Sequence, residues 1–334
     1  MSKSITALIA STAVLVASMG SAAWAGNVAV SYGTNWVAQA EHGGFYQSVA
    51  DGTYAACGLD VTIVPGGPSV NNQALLLAGK IDFYMGGVQD AFDGVKQGLP
   101  IIDVAALFQK DPQVILTHPG VAKTFDDLKK MPMFISDGGY TGFYQWMIKS
   151  LGFTEEQRKV YTFNAAPFIA DPTSGMQGYI TSEPLAVKKE GGFDPDIWLL
   201  ADNGYTSYST MIQTLNDTVA KKPEVVQCFV DGSIKGWYNY LYGDNAKANA
   251  MIKADNPDMT DEQIAFSIAK LKQYGIVDSG DTATMGVGAM TDARMKDFYG
   301  KMVAAGVIDA GIDISKAYTL AFVDKGVGID LKPK

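Results

Sequence analysis

From residue 28 onward the chain alternates between short β-rich runs and helical stretches, and this alternation limits the fold more than any other feature. Gly58, Gly79 and Gly98 follow three of the predicted helices, where a left-handed residue commonly ends a helix. Such alternation is typical of a parallel sheet covered by helices. The predicted strands span 28–31, 60–64, 81–85, 101–108 and 113–118, and the predicted helices span 44–56, 71–78 and 90–97.

A second series of the same kind begins near Pro119, and a run at 208–215 is predicted to return to the first series. From Pro223 onward the pattern is mainly helical. Because no low-complexity linker separates the two series, the chain is predicted to cross between two lobes on strands near Thr117 and Tyr208. Lobe 1 is predicted to hold residues 26–117 and 208–334, and lobe 2 residues 118–207. The second series has predicted strands at 133–136, 159–164, 178–182 and 197–201 and a helix at 143–151.

The first 25 residues have the pattern of a cleaved signal peptide. Lys3 supplies a positive charge, an apolar run follows at 7–17, and Ala23-Trp24-Ala25 precedes the predicted cleavage site. The apolar run is too short for a membrane-spanning helix, which argues against a retained anchor. We therefore expect a mature chain that begins at Gly26 and lies in the periplasm.

Composition excludes several functions. The formal net charge of −9 does not favour nucleic acid or anionic membranes as partners. Arg158 and Arg294 are the only arginines, which argues against a ligand held mainly by bidentate Arg–anion pairs. His42 and His118 are the only histidines and no CxxC motif occurs, so we expect no metal site and no cofactor.

Cys57 and Cys228 are the two cysteines. An oxidising compartment favours their pairing, but the sequence does not establish that their Cα atoms come within disulfide range. A disulfide and two separate buried thiols both remain open.

Asn35-Trp36 follows the first strand, His42-Gly43-Gly44 opens a helix, and residues 58–68 end that helix and begin the second strand. With these motifs the segment from 35 to 87 resembles the SsuA-like family of solute-binding proteins. The resemblance is strongest in residues 30–90. It implies an α/β fold of the periplasmic binding protein type (type II), with two lobes joined by hinge strands and a ligand in the cleft. It also implies a monomer that delivers a small molecule to an ABC permease in the inner membrane.

The resemblance and the strand ends together predict the ligand-binding residues. A tryptophan after the first strand offers a flat face for stacking, although a core Trp is the plain alternative. A histidine at a helix start can bond a ligand or simply a loop carbonyl. Glycines after a strand allow a ligand to approach the backbone, as they also do in an ordinary turn. The candidates are Asn35, Trp36, His42, Gly43, Gly86, Gly87 and Gln89 in lobe 1 and Gly138, Gly139 and Tyr140 in lobe 2.

Tyr179 and Glu183 complete the predicted site. In similar receptors for pyrimidine precursors an acidic residue at this strand end reads the aminopyrimidine, since one carboxylate can accept from an exocyclic amine and a protonated ring nitrogen together. Glu183 could instead be a surface residue stabilised by the helix dipole. Just upstream, 176–178 reads Met-Gln-Gly where the family commonly has Val-Asp-Ala, which leaves the ligand's identity open.

We expect a ligand such as a thiamine pyrimidine precursor or another flat heterocycle. An aliphatic sulfonate, taurine or nitrate is the alternative within the same fold, because helix N-termini can hold such anions without arginine. A pyrimidine-synthesising enzyme of related fold would use a histidine at the position of His42. That enzyme family carries a cysteine-rich motif in the second glycine loop, whereas residues 138–143 contain no Cys. A receptor that docks to a membrane sensor instead of a permease also stays open.

Overall fold

The computed structural model describes residues 26–67 and 69–333 of the chain. The predicted signal peptide at 1–25 and Pro68 of the 58–68 motif lie outside the described residues. In chain order, strands β1 to β10 span Val28–Gly33, Leu59–Val64, Phe83–Gly86, Ile101–Phe108, Gln113–Thr117, Met133–Ile135, Arg158–Val160, Gly175–Tyr179, Asp196–Leu199 and Ser209–Leu215.

The strands form two mixed sheets, each covered by helices, as the fold prediction requires. The first sheet has the order β2-β1-β3-β10-β4 and the second has the order β7-β6-β8-β5-β9. Within the first, β1 pairs in parallel with β2 and β3, while β10 runs antiparallel between β3 and β4. The second repeats this plan with β5 as its antiparallel strand. Each sheet therefore receives one strand from a segment where the chain crosses between the sheets.

Thirteen helical segments, α1 to α13, are described around these sheets. In the part of the chain that the structure covers, no helix is both long enough and apolar enough to pass through a membrane. The helices span Gly43–Ala50, Thr53–Ala56, Asn72–Leu77, Val88–Gln97, Asp137–Gly139, Ala166–Ala170, Glu183–Gly191, Asn216–Lys221, Pro223–Tyr242, Ala246–Asp255, Asp261–Gln273, Thr282–Met285 and Asp292–Ala304. Short 3-10 turns lie at Ala40–His42, Phe125–Lys130, Glu155–Gln157, Leu200–Asn203, Ile314–Lys316 and Ile329–Leu331, and π-helical turns at Tyr140–Tyr144 and Met147–Leu151.

Three predicted elements differ from the structure. The predicted strand at 159–164 ends already at Val160, as β7, and Phe163 beyond it has a left-handed φ of 60°. The predicted helix at 44–56 is divided into α1 and α2, because Gly52 adopts a left-handed φ of 77° between them. The predicted strand at 178–182 lies earlier, as β8, because the chain turns at Tyr179 so that Glu183 can begin α7. Residues 176–178, where the sequence departs from the family pattern, are thus inside a strand.

The crossing between the sheets also lies earlier than predicted. We expected the first crossing near Thr117, but β5 already pairs with β8 and β9 in the second sheet. The linkers are therefore residues 109–112 and 200–208. Below, lobe 1 means the part built on the first sheet and lobe 2 the part built on the second.

Arg294 of α13 connects the two linkers. Its guanidinium lies 4.0 Å from the centroid of the Tyr208 ring, a cation–π contact beside the second linker. The guanidinium also donates hydrogen bonds to backbone carbonyls of both linkers, namely those of Gln109, Thr206 and Ser207. One side chain thus holds the two crossings together.

Helix α9 forms the centre of the lobe 1 core. Phe229 stacks on Phe83 of β3 with ring centroids 4.1 Å apart and on Tyr54 of α2 at 5.2 Å. Where α9 crosses α1, a Cβ on Gly43 would overlap the Tyr240 ring, so glycine permits the close approach. This packing fixes the position of α1 and of the 3-10 turn before it, which carries site residues described below.

Cys57 and Cys228 form a disulfide whose Cα atoms are 5.9 Å apart. Cys57 ends α2 and Cys228 lies in the first half of α9, so the bond joins two helices of lobe 1. The question that the sequence left open is thereby answered in favour of the cross-link.

The disulfide should contribute substantially to stability, because it joins residues 171 positions apart. We expect the double variant Cys57→Ser/Cys228→Ser to lose about 2–5 kcal/mol of unfolding free energy, measured by urea denaturation. Reduced wild-type protein should lose the same amount, and reductant should not affect the variant. A variant that unfolds at the same urea concentration as the oxidised protein would contradict the prediction.

Candidate functional site

Residues from both lobes line a cavity of about 320 Å³, at the lower end of the usual range for small-molecule pockets. It lies where loops follow the strands, the place where open α/β sheets bind ligands. The lining residues are Asn35, Trp36, Gln39, Glu41, His42, Met85, Gln113, Ser136, Gly138, Gly139, Tyr161, Phe163, Gln177, Gly178, Tyr179, Ser182 and Glu183.

Four aromatic residues, Trp36, Tyr161, Phe163 and Tyr179, border the cavity. Trp36 of lobe 1 and Phe163 of lobe 2 have ring centroids 5.1 Å apart at an interplanar angle of 45°. Tyr161 lies behind Phe163, with centroids 5.4 Å apart. Phe163 is 55% exposed although it is apolar, and its φ of 60° is left-handed, which is uncommon for a bulky residue. An exposed ring held in a strained backbone conformation at a cavity is the pattern of a functional residue.

The backbone around Trp36 is fixed by the loop after β2. Thr34 Oγ1 donates to the Trp36 carbonyl (2.7 Å), and the Gly66 N–H donates to the same carbonyl (3.0 Å). Gly66 lies so close to Thr34 that no Cβ would fit. The glycines after β2 therefore act on the site indirectly, by holding the segment that presents Trp36.

The Glu183 side chain folds back over the end of β8. Its Oε2 accepts from the Tyr179 N–H and from Ser182 Oγ, both at 2.6 Å. A Cβ on Gly178 would lie 2.7 Å from the Glu183 Cβ, so glycine at this position makes the fold-back possible. Burial raises the pKa of Glu183, and the hydrogen bonds from Ser182 and Tyr179 offset only part of that increase. Glu183 is thus a positioned residue of the cavity wall and not a surface glutamate.

Glu41 is a second buried carboxyl on the cavity wall, only 2% exposed. Thr181 of lobe 2, which is fully buried, donates from Oγ1 to Glu41 Oε1. The Thr181 carbonyl in turn accepts from Ser267 Oγ (2.6 Å) and Gln263 Nε2 (2.9 Å) of α11. Thr181 is therefore held from two directions, and its contact with Glu41 joins the lobes next to the cavity.

His42 lies beside Glu41 and is completely buried. Burial lowers its pKa to about 3, so the imidazole is neutral at physiological pH. Neither ring nitrogen has a hydrogen-bond partner among the described residues. Buried polar atoms without partners are costly, and a pair of them on a cavity wall is suited to a ligand that supplies the missing bonds.

Gly139 meets the cavity at the start of the lobe 2 helical segment. Its N–H donates to Ser136 Oγ (3.1 Å), and the Ser136 N–H donates to Gln177 Oε1 (2.7 Å). A Cβ on Gly139 would overlap that same Gln177 oxygen. The glycine is thus required by the close approach of a side chain on β8.

The structure brings seven of the twelve predicted site residues to the cavity and leaves five away from it. Those at the cavity are Asn35, Trp36, His42, Gly138, Gly139, Tyr179 and Glu183. The other five, which are absent from the lining, are Gly43, Gly86, Gly87, Gln89 and Tyr140.

Three of these five have a packing or capping role instead. Gly43 makes room for Tyr240 as described above, and Gly86 has Gln213 so close that no Cβ would fit. The Gly87 N–H is capped by Asp90 Oδ2 at 2.9 Å.

The remaining two residues are Gln89 and Tyr140. The Gln89 side chain extends toward lobe 2, where its Oε1 lies 4.0 Å from a Cβ built on Gly142. Tyr140 is covered by Arg158, whose guanidinium carbon lies 4.3 Å from the ring centroid.

Several lining residues were not predicted from the sequence. Glu41 precedes His42 directly, and its acidic character next to a helix start was the available signal. Tyr161 and Phe163 are two apart just after β7, so their spacing could have indicated one shared face. Nothing in the sequence indicated that Gln113, which begins β5 directly after the first linker, borders the cavity.

The cavity lining carries acidic side chains without basic ones to balance them. Two carboxyls border it, while no Lys or Arg occurs among the described residues of its lining. Neither arginine of the chain is involved, since Arg294 lies at the linkers and Arg158 lies over Tyr140. The described residues also contain no group of three or more His, Cys, Asp or Glu side chains able to hold a metal ion.

Comparison with solved structures identifies the fold as that of periplasmic binding proteins. The aliphatic sulphonate-binding protein SsuA from Escherichia coli superposes with a TM-score of 0.65 at 12% identity, covering 86% of this chain and 91% of that one. The desulfurization enzyme DSZB shares the fold at a TM-score of 0.56 and 10% identity, covering 90% of this chain and 99% of that one. Fold likeness alone therefore does not decide between a binding protein and an enzyme.

The chain belongs to the NMT1/THI5-like family, whose model matches residues 39–248, more than half of its length. Among curated proteins, the riboflavin-binding protein RibY from Chloroflexus aurantiacus is 24% identical, over 89% of this chain and 86% of that protein. The matched region includes Glu41, His42, the aromatic pair Tyr161 and Phe163, and Glu183.

Burial of Glu41 predicts a pH-dependent stability. Its pKa is raised from 4.5 to about 7 by burial, with Glu183 nearby adding to the shift and the bond from Thr181 opposing it. Because the folded state holds the proton more tightly, stability is greatest below the unfolded pKa and is lost as pH rises through 7. Glu41→Gln cannot titrate, so relative to wild type it should gain about 3 kcal/mol of unfolding free energy between pH 4 and pH 8.

Urea denaturation of both proteins across this pH range measures the effect. Glu224→Gln, which changes an exposed glutamate at the start of α9, is the matched control and should follow wild type. A constant difference between wild type and Glu41→Gln at all pH values would show that Glu41 is not buried as described.

Proposed function

We propose that this protein is a periplasmic solute-binding protein of an ABC importer, and that its ligand is a flat nitrogen heterocycle such as a pyrimidine precursor of thiamine. Membership of the NMT1/THI5-like family and the fold of periplasmic binding proteins support the receptor class. The segment 1–25 would direct export and be removed. The mature chain would act as a monomer that hands its ligand to a permease.

The observation that carries the ligand class is the combination of aromatic rings with a positioned carboxylate. Trp36 and Phe163 approach each other from opposite lobes and offer aromatic faces on which a flat ring beside them can stack. Glu183 uses Oε2 for protein hydrogen bonds, which leaves Oε1 to accept from a ligand N–H. Stacking plus a carboxylate acceptor selects a planar ring that bears N–H donors.

Closure of the lobes would couple binding to transport. The contacts Trp36–Phe163 and Glu41–Thr181 both join the lobes at the cavity. A ligand that contacts both lobes stabilises the closed arrangement only by its preference for that arrangement over an open one. The permease would then distinguish the loaded receptor by its closed shape.

The alternative anionic ligands fit the cavity less well. Sulfonates, taurine and nitrate carry a negatively charged group, which two neighbouring carboxyls would repel. The described lining offers no cationic side chain to compensate. A flavin is the second candidate, because the relative RibY is named for riboflavin and a flavin is also a flat heterocycle with an N–H donor.

An enzymatic role has less support. The pyrimidine-synthesising enzymes of related fold use a histidine at the position of His42, but here that ring is fully buried and has a pKa of about 3. Residues 138–143 lack the cysteines of the corresponding motif. We therefore propose that His42 serves binding and not catalysis.

A thermal-shift screen of the mature protein, refolded to remove bound ligand, tests the proposal. A ligand that binds only the folded state raises the melting temperature by mass action. The panel holds hydroxymethyl- and formylamino-pyrimidines, thiamine, riboflavin, taurine, alkanesulfonates and nitrate. We expect a shift with pyrimidines. A shift with riboflavin alone would favour the second candidate, and a shift only with sulfonates or nitrate would overturn the heterocycle proposal.

Two variants test the residues. Trp36→Ala removes the stacking surface and Glu183→Gln removes the negative charge while preserving side-chain shape. Each should weaken binding of the ligand found in the screen by more than about tenfold, roughly 1.4 kcal/mol, in isothermal titration. Tyr140→Phe, outside the cavity, is the control and should bind as wild type. Unchanged affinity in both site variants would remove the pocket assignment.

A further inference from the structure

Glu41 and Glu183 reach one cavity from different lobes. Glu41 lies in the 3-10 turn that precedes α1, and Glu183 is the first residue of α7. They are close enough for the charge of Glu183 to raise the pKa of Glu41. Family resemblance suggested a role for Glu183 alone, so the second carboxyl needs its own explanation.

The two carboxyls are arranged in the same way. Each has one oxygen occupied by protein donors: Oε1 of Glu41 accepts from Thr181, and Oε2 of Glu183 accepts from Tyr179 and Ser182. Each carboxyl is also bonded by the backbone N–H of its own residue, and no other residue in the described chain donates a hydrogen bond to Oε2 of Glu41 or Oε1 of Glu183. Two acceptor oxygens, oriented by bonds to their partners, are thus left for whatever fills the cavity.

The surrounding side chains do not compensate the negative charge. The cavity lining among described residues contains no Lys or Arg, and His42 is neutral. The two ring nitrogens of His42 and Oε1 of Gln113, which belong to the same lining, are buried without partners among the described residues. Buried carboxylates need a paired charge or a set of donors, and here neither is supplied by the protein.

We propose that Glu41 is a second specificity-determining residue, and that the ligand binds as a planar cation whose N–H groups donate to both Glu41 Oε2 and Glu183 Oε1. Protonated aminoheterocycles and amidinium compounds belong to this class. The inference rests on the proposed receptor function and narrows it from a flat heterocycle to a cationic one. It also explains the lining without basic residues, because the ligand itself supplies the positive charge.

The variant Glu41→Gln tests ligand recognition by Glu41 separately from its contact with Thr181 of the other lobe. Its amide oxygen can still accept from Thr181, whereas an NH₂ donor replaces the free acceptor oxygen that would face the ligand. Thr181→Val is the complementary control, since it removes the hydroxyl that joins the lobes and keeps both carboxyls. A merely structural Glu41 would make the two variants behave alike.

The test uses two probes of nearly the same shape, benzamidinium and benzamide, titrated calorimetrically into the ligand-free mature protein. The amidinium is cationic and has donors on both nitrogens, whereas the amide is neutral and has one acceptor. We expect wild type to bind benzamidinium at least about tenfold more tightly than benzamide. Glu41→Gln and Glu183→Gln should each reduce this ratio to within about threefold, and Thr181→Val should weaken both probes equally and keep the ratio.

Equal binding of the two probes, or no binding of benzamidinium at up to about 10 mM, overturns the inference. The inference is also overturned if Glu41→Gln keeps the wild-type ratio of benzamidinium to benzamide affinity while Glu183→Gln reduces it. These results are independent of the thermal-shift screen. A preference for benzamidinium without any shift from pyrimidines would leave the inference standing and overturn the ligand proposed above. A thermal shift with pyrimidines, without a preference for benzamidinium over benzamide, would support the ligand proposed above and overturn this inference.

Discussion

The double crossing of the chain between its sheets is the constraint on which the rest of the structure depends. Each crossing contributes an antiparallel strand to one sheet, so neither sheet is complete without the segment that leaves the other. Arg294 bonds backbone carbonyls of both linkers, and Lys110 and Asp202 form an ion pair between them at 2.8 Å. The linkers therefore form one unit, and this unit determines which loops of the two lobes face each other across the cavity.

The site is built from groups whose placement costs free energy in the ligand-free protein. A neutral histidine without partners, two carboxyls with raised pKa values and an exposed phenylalanine in a left-handed conformation lie around one small volume. Each of them reduces the stability of the ligand-free protein, and the packed aromatic core around Phe229 compensates elsewhere. A ligand that forms hydrogen bonds with these groups offsets their unfavourable free energy. Because the groups come from both lobes, the same bonds that select the ligand also favour closure of the lobes.

Sequence patterns predicted most helices and strands, and they predicted those cavity residues that lie next to a strand end or a helix start. Trp36, His42 and Glu183 follow strands or begin helices, and such positions can be read from the chain. Glu41 was not predicted, because the contact that sets it apart from other acidic residues near helix starts is with Thr181, which is 140 residues away. Gly43, which was predicted for the site, lies outside the cavity lining for a related reason: a glycine needed for helix packing looks the same in sequence as one needed for a ligand.

The disulfide has a consequence for the topology of the whole chain. Because it joins Cys57 to Cys228 within lobe 1, every strand of the second sheet lies inside the covalent ring that it closes. Lobe 2 is therefore an insertion in the chain of lobe 1, and the disulfide joins the lobe 1 segments that precede and follow it. A protease that cuts an exposed loop anywhere in lobe 2 would open the ring without releasing a fragment, and the two pieces would separate only on reduction.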